Sequence, residues 1–231
     1  AKDNHICDSS YDTARTWNGL SPYGVEMVKE MNKVGMIIDV SHISDSTFWQ
    51  VMKLSKAPVL ATHSSCRHFT PGWERNMSDD MIRELAKHDG VIQINFGSSF
   101  LDGVINAQRD SNRVQLDRLI KALPKDHDPA EEKSIRDRFA KEHPDPFSTV
   151  EKVADHIDHV RSLVGIDHIG IGSDFDGVGD SLPEGLKDVG MYPNLINELL
   201  KRDYSDEDIE KICYKNVWRV WNKVNEIAGR S

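Results

Sequence analysis

The sequence predicts an α/β protein built on a parallel sheet, and three observations carry that expectation. Helical segments and short apolar runs alternate four times along the 231 residues. The runs are almost purely apolar, as strands covered on both faces require. Each run also ends in polar residues on its C-terminal side, the edge at which α/β proteins gather functional groups.

The elements follow in order. Ser21-Pro22 reads as a helix start, a capping residue followed by proline at the first helical position. Val25 to Met31 continues the helical pattern, and Gly35 is its stop. Met36-Ile37-Ile38-Asp39-Val40 then reads as a first buried strand. A helix over about 44–55 leads to a second strand, Pro58-Val59-Leu60-Ala61-Thr62. Ser78-Asp79-Asp80 opens a helix that stops at Gly90, before Val91-Ile92-Gln93-Ile94-Asn95 as the third strand. Residues of about 98–147, rich in Asp, Lys, Arg and Pro, read as a helical surface insertion. A helix over about 149–163 precedes the fourth strand, Ile169-Gly170-Ile171-Gly172. Two helices close the chain, over about 193–202 and 206–228, the second with Ser205 and Asp208 spaced as in a capping box. Four such strands fit a small open sheet or half of an eight-stranded barrel, and strand counting does not separate the two.

Composition narrows the functional classes. Net charge is −9, from 29 Lys+Arg against 38 Asp+Glu, which argues against nucleic acid as a partner, since phosphate binding needs a clustered positive face. No run approaches the roughly 18–20 apolar residues of a membrane span. Cys7, Cys66 and Cys213 lack C-x-x-C spacing, leaving open one disulfide plus a thiol, or three thiols.

The chemistry gathers at the strand ends: Asp39-Val40-Ser41-His42, Thr62-His63-Ser64-Ser65, Asn95-Phe96-Gly97-Ser98, and Gly172-Ser173-Asp174-Phe175-Asp176-Gly177. Histidines at successive strand ends lie side by side, close enough to share one metal ion. Neutral imidazole suits zinc, and a nearby carboxylate suits a metal-bound water. Plainer readings exist for each. A strand-end histidine is often a hydrogen-bonded structural group, Asp174 and Asp176 with Gly177 fit a tight turn, and Arg75 fits a surface ion pair. His156 and His159, at i and i+3 on a charged helix, read as a solvated face.

In combination these residues resemble the membrane (renal) dipeptidase family, zinc metallopeptidases related to the amidohydrolase barrels. The similarity rests on Leu20-Ser21-Pro22-Tyr23-Gly24 leading to Ile38-Asp39-Val40-Ser41-His42, on Thr62-His63-Ser64-Ser65 with Arg75-Asn76-Met77-Ser78-Asp79, and on Gly172 to Val178. Pro183-Glu184-Gly185-Leu186 and Tyr192-Pro193 extend it. The resemblance implies a (β/α)₈ barrel of TIM type with two zinc ions at its mouth. This chain would supply about the last four strands and the C-terminal helices, as one part of a single domain over 1–231. It further implies that His42 and His63 hold one zinc, that Arg75 receives the free carboxylate of a dipeptide, and that Asp174 is the catalytic aspartate. Zinc lowers the pKa of a bound water from about 15.7 to about 7, an aspartate can pass its proton to the leaving amine, and arginine matches a carboxylate bidentately.

Two departures stand out. The family's early His-x-Asp pair, its bridging glutamate and a substrate-contacting histidine have no counterpart here; His156-Ile157-Asp158 has the letters of the pair but sits in mid-helix. The remaining ligands are therefore expected on an N-terminal segment outside this chain, a partner for the site beside the dipeptide itself. The strand end Asn95-Phe96-Gly97 lacks a tyrosine that relatives often carry near this glycine. A homodimer and an exported, for instance periplasmic, location are further expectations from the resemblance. The competing readings are a truncated, non-catalytic fragment that self-associates, and another amidohydrolase-type metal hydrolase.

Overall fold

A computed structural model describes residues 2–230. Three parallel strands, β1 (Leu60–Ser64), β2 (Val91–Ile94) and β3 (Ile169–Ile171), form one sheet in the order β1-β2-β3. Around it lie α1 (Pro22–Val34), α2 (Asp45–Leu54), α3 (Asp79–Lys87), α4 (Ser98–Leu101), α5 (Gly103–Lys121), α6 (Pro129–Glu142), α7 (Val150–Val164), α8 (Tyr192–Lys201), α9 (Asp206–Glu210) and α10 (Asn216–Ile227). The α/β class expected from the alternation is what the chain adopts.

Local chemistry sets the boundaries. Ser21 accepts the Gly24 amide at 2.9 Å and Pro22 fills the first turn of α1, satisfying donors that a helix start leaves unpaired. The helix stops at Gly35, whose φ of 69° lies in the left-handed region that glycine enters without a Cβ clash. Ser44 and Ser78 cap α2 and α3 in the same way. The sheet is apolar throughout its centre: Val59, Ala61, Ile92, Ile94, Phe96 and Ile169 are fully buried. On the outside, α7 packs Val153, Ala154, Ile157 and Val160 inward.

Several expectations are corrected. The first anticipated strand, 36–40, pairs with β1 only through a parallel bridge between Asp39 and Leu60. The Asp39 carboxylate accepts the Ser41 amide at 2.9 Å, which turns the chain away, and on its outer side this segment has no neighbouring strand among the described residues. Among the described residues, three strands are therefore formed rather than four. The second strand lies two residues later than expected and so includes His63. In the 98–147 segment, α5 and α6 are the surface helices, whereas Ser98, Phe100 and Leu101 of α4 belong to the interior. The last helix is interrupted by one wide turn over Lys211–Lys215. All three cysteines are free, Cys7 and Cys66 buried and Cys213 exposed. None of the described helices is long and apolar enough to cross a membrane.

Candidate active site

His42, His63 and Asp174 line one cavity of about 370 Å³ at the C-terminal edge of the sheet, together with Tyr11, Trp73 and Phe100. His42 follows the 36–40 segment with φ at 72°, and Asp174 follows β3 with φ at 57°. Such conformations are uncommon outside glycine and persist only where surrounding bonds hold them. For His42 the holding bonds come from Ser10, whose amide and hydroxyl donate to its carbonyl at 2.9 and 3.2 Å. For Asp174, the Gly177 amide donates to its carbonyl at 3.0 Å. A Cβ at Gly177 would stand 2.1 Å from the Asp174 carboxylate, so only glycine leaves it room. Asp176, the other acid of this turn, is exposed.

His63 sits on an irregularity. Ala61 is opposite Ile92 and Ser64 opposite Ile94, so β1 carries one residue more than β2 across this stretch. A bulge of this kind re-aims side chains and is common beside active sites. It brings His63 Nε2 to 2.8 Å from His42 Nε2, with ring centroids 4.8 Å apart.

Protonation decides what that approach means. The Thr62 hydroxyl donates to Asp39 at 2.7 Å and also lies 2.7 Å from His63 Nδ1. Arg75 Nη2, which can only donate, lies 3.3 Å from His42 Nε2. His63 Nε2 is thereby left as an acceptor; without a cation the 2.8 Å approach is a hydrogen bond through one shared proton, and a cation bound by both rings takes that proton's place. Burial, then the Arg75 guanidinium and the His63 imidazole, pull His42 down to about 4. Burial and Arg75 also lower His63, so both rings are neutral at pH 7, the form that binds a metal. The donor set fits zinc, as two of the four ligands a tetrahedral ion takes.

Arg75 is not the surface residue of the plainer reading. It is 2% exposed and packs behind the histidines. Its Nη1 donates to Ser64 Oγ at 2.9 Å, its Nη2 to the His63 carbonyl at 2.7 Å, and its guanidinium lies over Phe100 at 5.1 Å. No carboxylate pairs with it among the described residues, and its Nε has no partner. A buried guanidinium without a counter-ion is costly, and an anionic ligand would supply what is missing. Asp174 is held by Asn95, whose side-chain amide donates to it at 2.9 Å.

Some site residues left weaker marks in the sequence. Asn95 stood at a strand end but without an assigned role. Tyr11 lies 5.7 Å from His42, ring to ring, and beside Arg75. It arrives there through a bridge between Ser9 and Ile43, a long-range contact that no local pattern announces.

The other histidines part company. His156 is fully buried, contrary to the solvated face expected of it. Its Nδ1 accepts the Cys66 amide at 3.0 Å and its Nε2 donates to the Leu101 carbonyl at 3.1 Å. His68, Asp79 and His159 bring three donors within 4.8 Å of one another. There the rings stack at 4.4 Å and 23°, and His159 Nε2 is bonded to Asp79 at 2.9 Å. Stacked rings direct their lone pairs side by side rather than at one point.

A strand-end cavity with paired imidazoles and a carboxylate on an α/β sheet is an arrangement of the kind that metal-dependent hydrolases use. The model of the membrane dipeptidase family (peptidase family M19) matches residues 1–231, and the chain belongs to that family. It is 36% identical to dipeptidase tcpJ of Claviceps purpurea over 99% of this chain and 44% of that protein. Against dipeptidase verJ of Clonostachys rogersoniana it is 37% identical, over 98% and 47%. Among solved structures it resembles the probable dipeptidase PvdM from Pseudomonas aeruginosa, with TM-score 0.78 and 31% identity over 97% of this chain and 61% of that one. It also resembles a Rhodobacter sphaeroides metallo peptidase liganded with a phosphinate mimic of L-Ala-D-Ala, with TM-score 0.68 and 27% identity over 89% and 47%. The chain spans about half the length of the curated relatives it matches.

Proposed function

We propose that this chain is the part of a zinc-dependent dipeptidase that carries the carboxylate-binding arginine, the catalytic aspartate and two zinc ligands. The observation that carries this reading is the facing Nε2 pair of His42 and His63 at 2.8 Å, backed by the buried Arg75, which has no carboxylate partner among the described residues. The sheet forms one side of an eight-stranded barrel, and the other zinc ligands come from polypeptide outside this chain. A metal ion suits the likeness to the Rhodobacter protein, a metallo peptidase, and the dipeptide-mimic ligand of that protein suits a dipeptide substrate.

Each residue has a separate task. His42 and His63 hold zinc through neutral imidazole nitrogens. Bound there, zinc supplies the Lewis acidity that makes water a nucleophile at neutral pH. Asp174, aimed into the cavity by Asn95 and by the tight approach of Gly177, takes a proton from the attacking water and returns it to the leaving amine. Arg75 anchors the free carboxylate of the dipeptide, which fixes the scissile bond relative to Asp174 and the two histidines.

The test is zinc content and hydrolysis of a dipeptide panel, measured on the chain alone and on the chain supplied with the missing ligand-bearing segment. Zinc and turnover that appear only with the segment, and that vanish in His63→Ala, support the reading. A chain that takes up neither in any combination would be a non-catalytic fragment, the competing reading.

A further inference from the structure

We propose that Asp39 and Thr62 form a positioning relay that fixes His63 as its Nδ1–H tautomer and so keeps the Nε2 lone pair turned toward the metal. The inference rests on the zinc reading of the histidine pair, but the relay itself is testable without metal.

The hydrogen count is what assigns it. Thr62 has one hydroxyl proton, and it is given to Asp39 Oδ2 at 2.7 Å. Asp39 is a carboxylate with no proton to return. The Thr62 oxygen, 2.7 Å from His63 Nδ1, can then only accept, so Nδ1 must carry the ring proton. The remaining nitrogen, Nε2, is left with its lone pair, and it is the atom that faces His42. Ligating histidines are commonly oriented in this way through their second nitrogen.

The backbone is shaped for this contact. In a regular strand, consecutive side chains point to opposite faces, and Thr62 could not reach the ring of His63. The extra residue in β1 between Ala61 and Ser64 removes that alternation. Asp39 is fixed in turn, because its Oδ1 accepts the amides of Ser41 at 2.9 Å and Thr62 at 3.1 Å. Its carboxylate lies on the exposed sheet edge of this chain. No equivalent clamp exists for His42, whose Nδ1 has no partner among the described residues. One ligand is locked and the other is adjustable.

Asp39→Asn gives the sharpest test. The two amides still need an acceptor at the Oδ1 position, so the Asn oxygen stays there and its NH₂ takes the place of Oδ2. Thr62 then accepts from Asn and donates to His63 Nδ1, which reverses the tautomer. We expect two-bond ¹H–¹⁵N spectra of the zinc-free chain at pH 8 to show Nδ1–H for His63 in the wild type and in Thr62→Ser. The same spectra should show predominantly Nε2–H in Asp39→Asn and loss of the single tautomer in Thr62→Val. Zinc affinity of the chain supplied with the ligand-bearing segment, by calorimetric titration, should fall about 10–100-fold in the last two variants and not in Thr62→Ser. A wild-type His63 carrying its proton on Nε2 overturns the relay, as does a tautomer unmoved in both Asp39→Asn and Thr62→Val. Tautomers that respond as stated, with no zinc bound by the wild type even when the ligand-bearing segment is supplied, uphold the relay and sink the zinc reading of the pair instead.

Discussion

The mouth of the sheet and the interior under α7 both hold histidines, half-buried in the first and fully buried in the second, and they treat them in opposite ways. His156 spends both ring nitrogens on backbone groups, accepting from Cys66 and donating to Leu101. It works as a cross-brace between the β1 end, α4 and α7. His63 spends only Nδ1, and its Nε2 is left facing a second imidazole. A fully satisfied buried polar group stabilises a fold, whereas an unsatisfied one is a cost that a ligand can remove. Burial alone therefore does not single out a candidate ligand histidine; an unspent nitrogen does.

The largest expected effect breaks the comparison at the mouth. His63→Ala should remove zinc from the pair and lower dipeptide hydrolysis by about a thousandfold or more, with thermal unfolding of the metal-free chain nearly unchanged. Activity kept at a tenth of wild type would remove His63 from the metal site. His156→Leu should do the reverse. It leaves the Cys66 amide and the Leu101 carbonyl buried and unpaired, at about 1–3 kcal/mol each, so urea unfolding should show a loss of about 3 kcal/mol, while the geometry of the histidine pair has no direct reason to change.

The same residue gives the acid side of stability a definite sign. Burial first, and the neighbouring His159 charge against it, pull His156 down to about 4. Between about 6.5 and 4 the unfolded chain binds a proton that the folded chain refuses. Stability is then fully present above pH 6.5 and falls as pH drops, by up to about 1.4 kcal/mol per unit for this group. His42 and His63 shift in the same direction and steepen the limb. His156→Gln should flatten it by about one proton's worth in urea titrations at pH 7, 6 and 5. An unchanged slope would mean that His156 titrates normally.

Much of the mouth was legible because its residues stand where apolar runs end. His42, His63 and Asp174 are each the polar residue just beyond a buried strand or near it. What failed depended on neighbours distant in sequence. The run Met36 to Val40 has the apolar pattern of a strand, yet a strand forms only where partners pair along its length, and here the pairing reduces to Asp39 and Leu60. His156 looked solvated because Asp155 and Asp158 flank it. The periodicity nonetheless held the correct answer, since Val153, Ile157 and Val160 repeat at three and four residues and place His156 on the buried stripe. Arg75 carried no sign of burial, because its partners Ser64, His63 and Phe100 come from other elements. The bulge in β1 is likewise invisible locally, being a property of the register between two strands.

The smallest effect expected at the mouth is also the one that best separates binding from fold. Arg75 lacks a carboxylate partner among the described residues, so truncating it should not strand a buried negative charge in the way that breaking an ion pair does. Arg75→Met, similar in length and apolar, should therefore leave the stability of the ligand-free chain equal or slightly raised, even though the bonds to Ser64 and the His63 carbonyl are lost. With substrate the balance changes. A charge-assisted bond to a dipeptide carboxylate is worth about 1.5–3 kcal/mol, so KM for a free dipeptide should rise on the order of 10–100-fold with a smaller change in kcat. For the same dipeptide capped as its C-terminal amide, wild type and Arg75→Met should differ by less than about threefold, because the carboxylate that the arginine recognises is gone. An equal loss on both substrates would make Arg75 a structural support for His42 and His63 and not a carboxylate anchor. A large drop in stability would show that its hydrogen bonds outweigh its unpaired charge.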